Sequence, residues 1–457
     1  MSKLDSMPIE ELTINTIRTL AMDAVQKANS GHPGTPMALA PIAYLLYKKF
    51  MQHNPANPEW INRDRFVLSA GHASMLLYSI LHLSGYGVSL EDLKQFRQLH
   101  SITPGHPESR EAPGVETTTG PLGQGISNTV GMAIAEAHLA SAYNKEGFNL
   151  VDHFTYEICG DGDLMEGVSH EAASLAGHLG LGKLIWIYDD NHISIEGETD
   201  LAYSDNVPKR FEGYNWHVID IGENANNLEV ISNAIKEAQS VADKPSLIIV
   251  RSHIGYGAPN LQDTHTAHGA PLGEEEVAKT KEFYGWPTDE FFLVPERVKE
   301  HMKDVAENGK AKEDEWNQLF KEYKSKFSEL AKQLEDAISF KLPDGWDSDI
   351  PVWTPDDGAQ ATRNVSGKII NAIAPKIPYL VGGSADLAPS TKTLNLRTFS
   401  SGTAFFSFST TSPARAFRIS SSSLRACSRD LGRTDSGGVS RPYFHFKNFL
   451  PVTGYRA

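Results

Sequence analysis

Apolar positions along the first 325 residues switch repeatedly between a helical and an extended spacing. Recurrence every three or four positions predicts helices over Ile9 to Ala28, Met37 to Lys48, Ser127 to Tyr143 and Leu228 to Ala242, and Ser169 to Leu181 has a helical composition. Between them lie short apolar runs at Arg65 to Leu68, Phe154 to Ile158, Lys183 to Tyr188, His217 to Ile221 and Ser246 to Val250. Continuous rather than alternating apolarity marks strands buried on both faces. Strands of that kind alternating with helices predict an α/β fold whose mostly parallel sheet is flanked by helices.

Farther along, Lys312 to Phe340 reads as one polar amphipathic helix, with Trp316, Leu319, Phe320, Tyr323, Phe327, Leu330 and Leu334 on one side, and suits a domain connector. After Pro343 and Pro351 a second α/β unit begins, with Lys368 to Ala374 helical and Tyr379 to Val381 a strand running into Gly382-Gly383. The organisation expected is an α/β domain over 1–325, a connector with the start of a second domain over 326–393, and an irregular tail over 394–457. The tail stands apart by charge. Eight Arg and one Lys face Asp430 and Asp435, a net of +7; the whole chain is -15, which leaves -22 for residues 1–393. The tail is rich in Ser, Thr and Arg, and its aromatic residues follow no period. A nucleic-acid or membrane-surface arm would carry a dense Lys/Arg run, which is missing. A shift of reading frame after about Thr393 accounts for the charge reversal, and such a segment is expected to stay mobile.

Composition narrows the class. Forty per cent hydrophobic residues in 457 positions support a real core in two or three domains. No run of about eighteen apolar residues predicts a membrane span. Met1 to Glu11 carries acids, lacks an apolar signal core and is not Arg-rich, so cytoplasm is the expected location. Cys159 and Cys427, the two cysteines, give neither a disulfide framework nor a thiolate metal site, and the acidic balance argues against nucleic acid as partner.

Candidate chemistry concentrates at Gly160-Asp161-Gly162-Asp163-Leu164-Met165-Glu166-Gly167 and, one helix and one strand later, at Asp189-Asp190-Asn191. In a right-handed βαβ unit the two strands are parallel, so a glycine turn bearing Asp161 emerges beside Asn191 at the carboxyl edge of the sheet. Asp161, Asn191 and the carbonyl of Ile193 would give Mg²⁺ or Ca²⁺ a partial set of hard oxygen ligands, to be completed by diphosphate and water. A plain strand-to-helix turn is the competing reading. His32, His72, His106 and His268 each stand beside Gly or Pro in loops, where imidazoles can reach a ligand and move protons near neutrality. Gly120-Pro121-Leu122-Gly123-Gln124-Gly125 precedes a helix but lacks the Gly-Lys-Ser/Thr of a phosphate loop and the order of a dinucleotide fingerprint.

Together with Asn29-Ser30-Gly31-His32-Pro33-Gly34, Ser69-Ala70-Gly71-His72-Ala73, Pro104-Gly105-His106-Pro107, Thr118-Thr119-Gly120-Pro121-Leu122-Gly123-Gln124-Gly125, His268-Gly269-Ala270-Pro271, Ala361-Thr362-Arg363 and Gly382-Gly383-Ser384-Ala385-Asp386-Leu387, these motifs make the chain resemble the transketolase family from about residue 10 to 391. The resemblance implies a thiamine diphosphate-binding fold, thiamine diphosphate with Mg²⁺ (or Ca²⁺ or Mn²⁺) as cofactors, and sugar phosphates as ligands. The implied reaction passes a two-carbon ketol unit from a ketose phosphate to an aldose phosphate through a thiamine diphosphate carbanion. It also implies roles: His32 and His268 in catalysis; His72, Gly120, Pro121, Leu122, Gly162, Asn191 and His268 around the cofactor; Asp161, Asn191 and Ile193 on the metal; and His32, His106, His268, Arg363 and Ser390 on the substrate. The family works as homodimers with sites shared between subunits, and Glu166 matches an interface acid. The family's pyrimidine-side residues have no counterpart after Ser390. The expectation is therefore an incomplete transketolase that pairs with itself or with a chain supplying the second domain. The alternatives are an inactive cofactor-binding or partner-regulating fragment, or a related ketose synthase.

Overall fold

The computed structural model describes residues 3–382 and 387–393, with the backbone of 397–398. Gly383 to Asp386 and, apart from 397–398, the tail lie outside the described residues. Five strands, β1 (Arg65–Leu68), β2 (Thr155–Gly160), β3 (Leu184–Asp189), β4 (His217–Asp220) and β5 (Ser246–Val250), form one all-parallel sheet in the order β1-β2-β3-β5-β4. β3 and β5 are buried along their whole length, whereas β4 at the edge is half-exposed. This is the α/β architecture that the apolar runs predict, and each strand begins within one residue of its run. Because all five strands are parallel, every loop leaving a strand end emerges at the same sheet edge.

Helix Ile9–Ala28 packs on helices Gly34–Leu45 and Ser74–Ser84, burying Leu12, Ile17, Leu20, Leu39, Ile42 and Leu76. Pro41 lies inside the second of these helices and cannot donate to the Met37 carbonyl. The Nε of buried Arg18 donates to that carbonyl instead, at 2.9 Å. The helix then runs on as a π turn, Leu46–Phe50, where the sequence pattern predicts uninterrupted helix through Lys48.

Two further expectations are corrected. Gly160-Asp161-Gly162 is not an open turn: Asp161–Met165 is a short helix, followed by helix Gly167–Leu179. The Asp163 carboxylate reaches back to accept the Gly160 N–H at 3.1 Å, which satisfies a donor at the helix start. The amphipathic stretch is two helices, Glu296–Lys326 and Ser328–Ile338, interrupted at Phe327 with φ -130° and ψ 56°. Lys324 and Glu335 pair across the break at 2.6 Å.

The chain divides into two compact units, Met1–Ala140 with Lys145–Tyr323, and Ser141–Asn144 with Lys324–Ala457. The second holds helices Ser328–Ile338 and Thr362–Ile373, the short helix Ala388–Thr391, and a parallel pairing of Val381–Gly382 with Arg397–Thr398. Among the described residues no helix is long and apolar enough to cross a membrane.

Candidate functional site

Adjacent strand ends deliver the central groups. β2 runs directly into Asp161 and β3 into Asn191, with Gly160 and Asp189 paired in register. The Tyr188 hydroxyl donates to Asp161 Oδ1 and also lies 2.9 Å from Asp190 Oδ1. Asp161 Oδ2 is buried without any hydrogen-bond partner. Burial pushes the Asp161 carboxyl up to about 7; Asp189 and Asp190 add to the rise, opposed by hydrogen bonds from Tyr188 and the His192 backbone. A buried carboxylate oxygen without a donor is a costly arrangement that a cation would relieve.

Asp189 orients the neighbouring amide. Its Oδ2 accepts from Asn191 Nδ2 at 2.7 Å, so Asn191 Oδ1 is free to accept from the Ile193 N–H at 2.9 Å, curling the chain back over the strand end. His192 adopts a left-handed φ of 63° in this curl. A carboxylate, an amide oxygen and the Ile193 carbonyl thus belong to one tight segment pair. This donor set fits a hard divalent cation that takes its remaining ligands from phosphate oxygens and water.

The imidazoles of His32, His72 and His268 form a cluster. The ring centroids of His32 lie 5.0 Å from His72 and 5.7 Å from His268, and His72 stacks on His268 at 5.0 Å. Burial lowers the basicity of all three: His32 falls to about 4, with His268, Arg97 and His106 adding to the effect, and His72 falls well below the ordinary value. They are neutral rings at physiological pH. His268 Nδ1 is buried without a partner. His106 packs against Gly120, where an added Cβ would meet its ring at 3.1 Å. The φ of +139° at Gly120 is itself a conformation that disfavours other residues.

Around these groups Leu122 presents apolar surface, 37% exposed, and an added Cβ on Gly162 would meet its Cδ1 at 3.1 Å. Asp163 ties the cradle together, accepting from Ser69 Oγ at 2.8 Å, Gly123 N–H at 2.8 Å and Gly160 N–H at 3.1 Å. Ser69 Oγ in turn accepts from the Ile126 N–H at 3.2 Å. Three loops that are distant in sequence are therefore fastened to one carboxylate. The apolar surface of Leu122, glycine backbone beside it and a carboxylate suited to a cation fit a diphosphate-bearing cofactor.

The family description "Transketolase, thiamine diphosphate binding domain" matches residues 9–343. The chain belongs to the transketolase family. The transketolase of Geobacillus stearothermophilus is 59% identical over 387 residues, 84% of this chain and 58% of that protein, and the Bacillus subtilis transketolase is 57% identical over 386 residues. A crystal structure of the Pichia stipitis transketolase in complex with sedoheptulose 7-phosphate superposes with a TM-score of 0.82 at 48% identity, covering 84% of this chain and 57% of that one. The chain therefore spans a little over half the length of these transketolases.

Among the residues that the transketolase motifs single out, the structure groups His32, His72, His106, Gly120, Leu122, Asp161, Gly162, Asn191, Ile193 and His268 in the first unit, with Pro121 in the same cradle loop. Arg363, in helix Thr362–Ile373, and Ser390, in Ala388–Thr391, are exposed residues of the second unit. The sequence motifs contain Asp163 and Asp189 but give them no role, and they leave out Tyr188 and Arg97. Asp189 carried a signal, since it is an acid at the end of an apolar run, where a buried charge needs partners, and Asp163 lies in the glycine motif itself. Nothing local marked the other two. His170, which matches no ligand role, is held between Tyr214 at 3.2 Å and Arg210 at 3.2 Å.

Proposed function

We propose that this chain carries the diphosphate-and-metal half of a transketolase site and contributes it to transfer of a two-carbon ketol unit between sugar phosphates. The observation that carries the reading is Asp161 Oδ2, buried and partnerless at the end of β2, in the same unit as three clustered neutral imidazoles. Asp161, Asn191 and the Ile193 carbonyl would hold Mg²⁺, with Ca²⁺ or Mn²⁺ able to replace it. Gly120, Pro121, Leu122, Gly162 and His72 would cradle thiamine diphosphate. When bound, that cofactor supplies a carbon nucleophile and an electron sink. His32 and His268 orient substrate hydroxyls and exchange protons with them and His106 contacts the sugar, while Arg363 and Ser390 are by their chemistry candidates for a sugar's phosphate. Burial keeps the imidazoles neutral, so each ring offers both a donor and an acceptor nitrogen.

The chain spans about 58% of the length of its Geobacillus stearothermophilus relative, and ketol transfer by a homodimer, or beside a chain supplying a pyrimidine-side domain, belongs to the same proposal. A second reading is an inactive cofactor-binding or partner-regulating subunit. Titration calorimetry with Mg²⁺ and thiamine diphosphate should show binding. An assay with xylulose 5-phosphate and ribose 5-phosphate, run with the chain alone and beside a chain bearing the second domain, should show turnover in at least one of the two formats. Binding without turnover in both formats would establish the second reading, and absence of binding would sink both.

A further inference from the structure

Arg97 follows the helix Leu90–Lys94 in a left-handed conformation, φ 61°, with its N–H donating to the Thr103 carbonyl at 3.0 Å. This backbone turn sends the guanidinium between two of the histidine loops. Nη1 donates to Ser30 Oγ at 2.9 Å, and Nη2 lies 3.4 Å from Nδ1 of His32. On the other side the guanidinium packs against the loop of His106: a Cβ on Gly105 would come within 2.9 Å of Nε and 3.0 Å of Cζ. Any side chain at residue 105 would displace it.

A guanidinium has five N–H donors and no acceptor. An imidazole nitrogen facing it must present a lone pair, so the ring proton of neutral His32 belongs on Nε2. Nε2 lies at another edge of the ring, toward the loop of His268: a Cβ on Gly269 would meet it at 3.4 Å. We propose that Arg97 is a positioning residue that fixes His32 as the Nε2–H tautomer, making His32 a hydrogen-bond donor to the ligand and reserving proton acceptance for another ring of the cluster. The functional consequence rests on the reading of His32 as a substrate-contacting residue; the tautomer itself does not. The groups facing His32 are His72, His268, His106 and Arg97, of which Arg97 carries the standing positive charge. Its proximity also opposes protonation of His32, alongside burial.

The test uses the full chain with ¹⁵N-labelled histidine and long-range ¹H–¹⁵N correlation spectra, the His32 signals being assigned by their loss in His32→Gln. The wild-type ring should show the Nε2–H pattern throughout about pH 5 to 8. In Arg97→Met the two tautomers should mix, and the midpoint of His32 should rise by about one pH unit. Arg97→Lys keeps a cationic donor and should preserve the low midpoint. A Nδ1–H pattern in the wild type, which needs no variant to observe, overturns the proposal, as does an Arg97→Met spectrum identical to wild type. Turnover plays no part in these spectra. If they behave as expected while His32→Gln retains full ketol transfer in the reconstituted enzyme, the functional reading of His32 fails and the tautomer assignment stands.

Discussion

Asp163 accepts a hydrogen bond from the backbone N–H of Gly123 at 2.8 Å, across 40 residues of sequence. The same carboxylate holds Ser69 and Gly160, so the β1 loop, the Gly120 loop and the start of the β2 helix share one anchor. Burial raises the pKa of Asp163 while these three donors pull it back.

Asp163→Ala should therefore cost about 3 kcal/mol or more, because it leaves buried donors unpaired. It should weaken thiamine diphosphate binding even though Asp163 is not proposed to touch the cofactor. Urea melts and calorimetry on the variant check both effects. A loss within about 0.5 kcal/mol, the level of an ordinary surface substitution, would contradict the anchoring role.

Asp161→Ala should weaken Mg²⁺-dependent cofactor binding by at least about tenfold, and by more than His106→Ala does. The first removes a carboxylate from a divalent ion, whereas the second removes a ring proposed to meet the sugar. Side-by-side titrations decide it, and equal affinities in the two variants would remove Asp161 from the metal site.

Glu157, in the middle of β2, is fully buried. Its Oε2 lies 3.0 Å from Thr129 Oγ1, which is also 2.7 Å from the Ile126 carbonyl and accepts from Trp186 Nε1 at 3.0 Å. Thr129 has one hydroxyl proton to share between the Ile126 carbonyl and the Glu157 carboxyl. Burial, with Asp163 adding to it, pushes the Glu157 pKa well above the ordinary value, opposed by hydrogen bonds from Thr129 and Ser69. An acid with a raised folded pKa contributes stability that is fully present below the unfolded value of about 4.3 and is lost as pH rises through the folded one. Glu157→Gln, which keeps a donor without a charge, should gain melting temperature relative to wild type as pH rises from about 4.5 to 8. An offset that stays constant or moves the other way would show that Glu157 is ionised.

Lys281 Nζ lies 2.8 Å from Asp23 Oδ1, with both side chains essentially inaccessible to solvent. Lys281 also donates to the Glu290 carbonyl at 2.8 Å, and Asp23 Oδ2 accepts from the Phe292 N–H at 2.7 Å. Asp23→Leu alone should cost about 3–5 kcal/mol by stranding a buried ammonium, while the double variant Asp23→Leu/Lys281→Met should cost less than that single change. Chemical denaturation of the single and double variants measures the difference, and simple additivity would show that the pair is not coupled.

Local pattern was enough for the parallel α/β sheet, because strand burial and helix amphipathicity repeat within a few residues and leave their period in the chain. Helix Ile9–Ala28 and strands Arg65–Leu68 and Ser246–Val250 have the bounds that their periodicity predicts. Family membership was legible for a related reason: the glycine and histidine motifs are contiguous strings. The interruption at Phe327 was not, since apolar spacing continues through it and the backbone change lies at a single residue. Only the folded chain decided which polar groups share a proton or a charge. Asp163 meets Gly123 across 40 residues, Arg97 meets His32 across 65, and Thr129 meets Glu157 across 28. Hydrogen-bond direction and buried charge depend on every group within a few ångströms, and no window of sequence contains that neighbourhood.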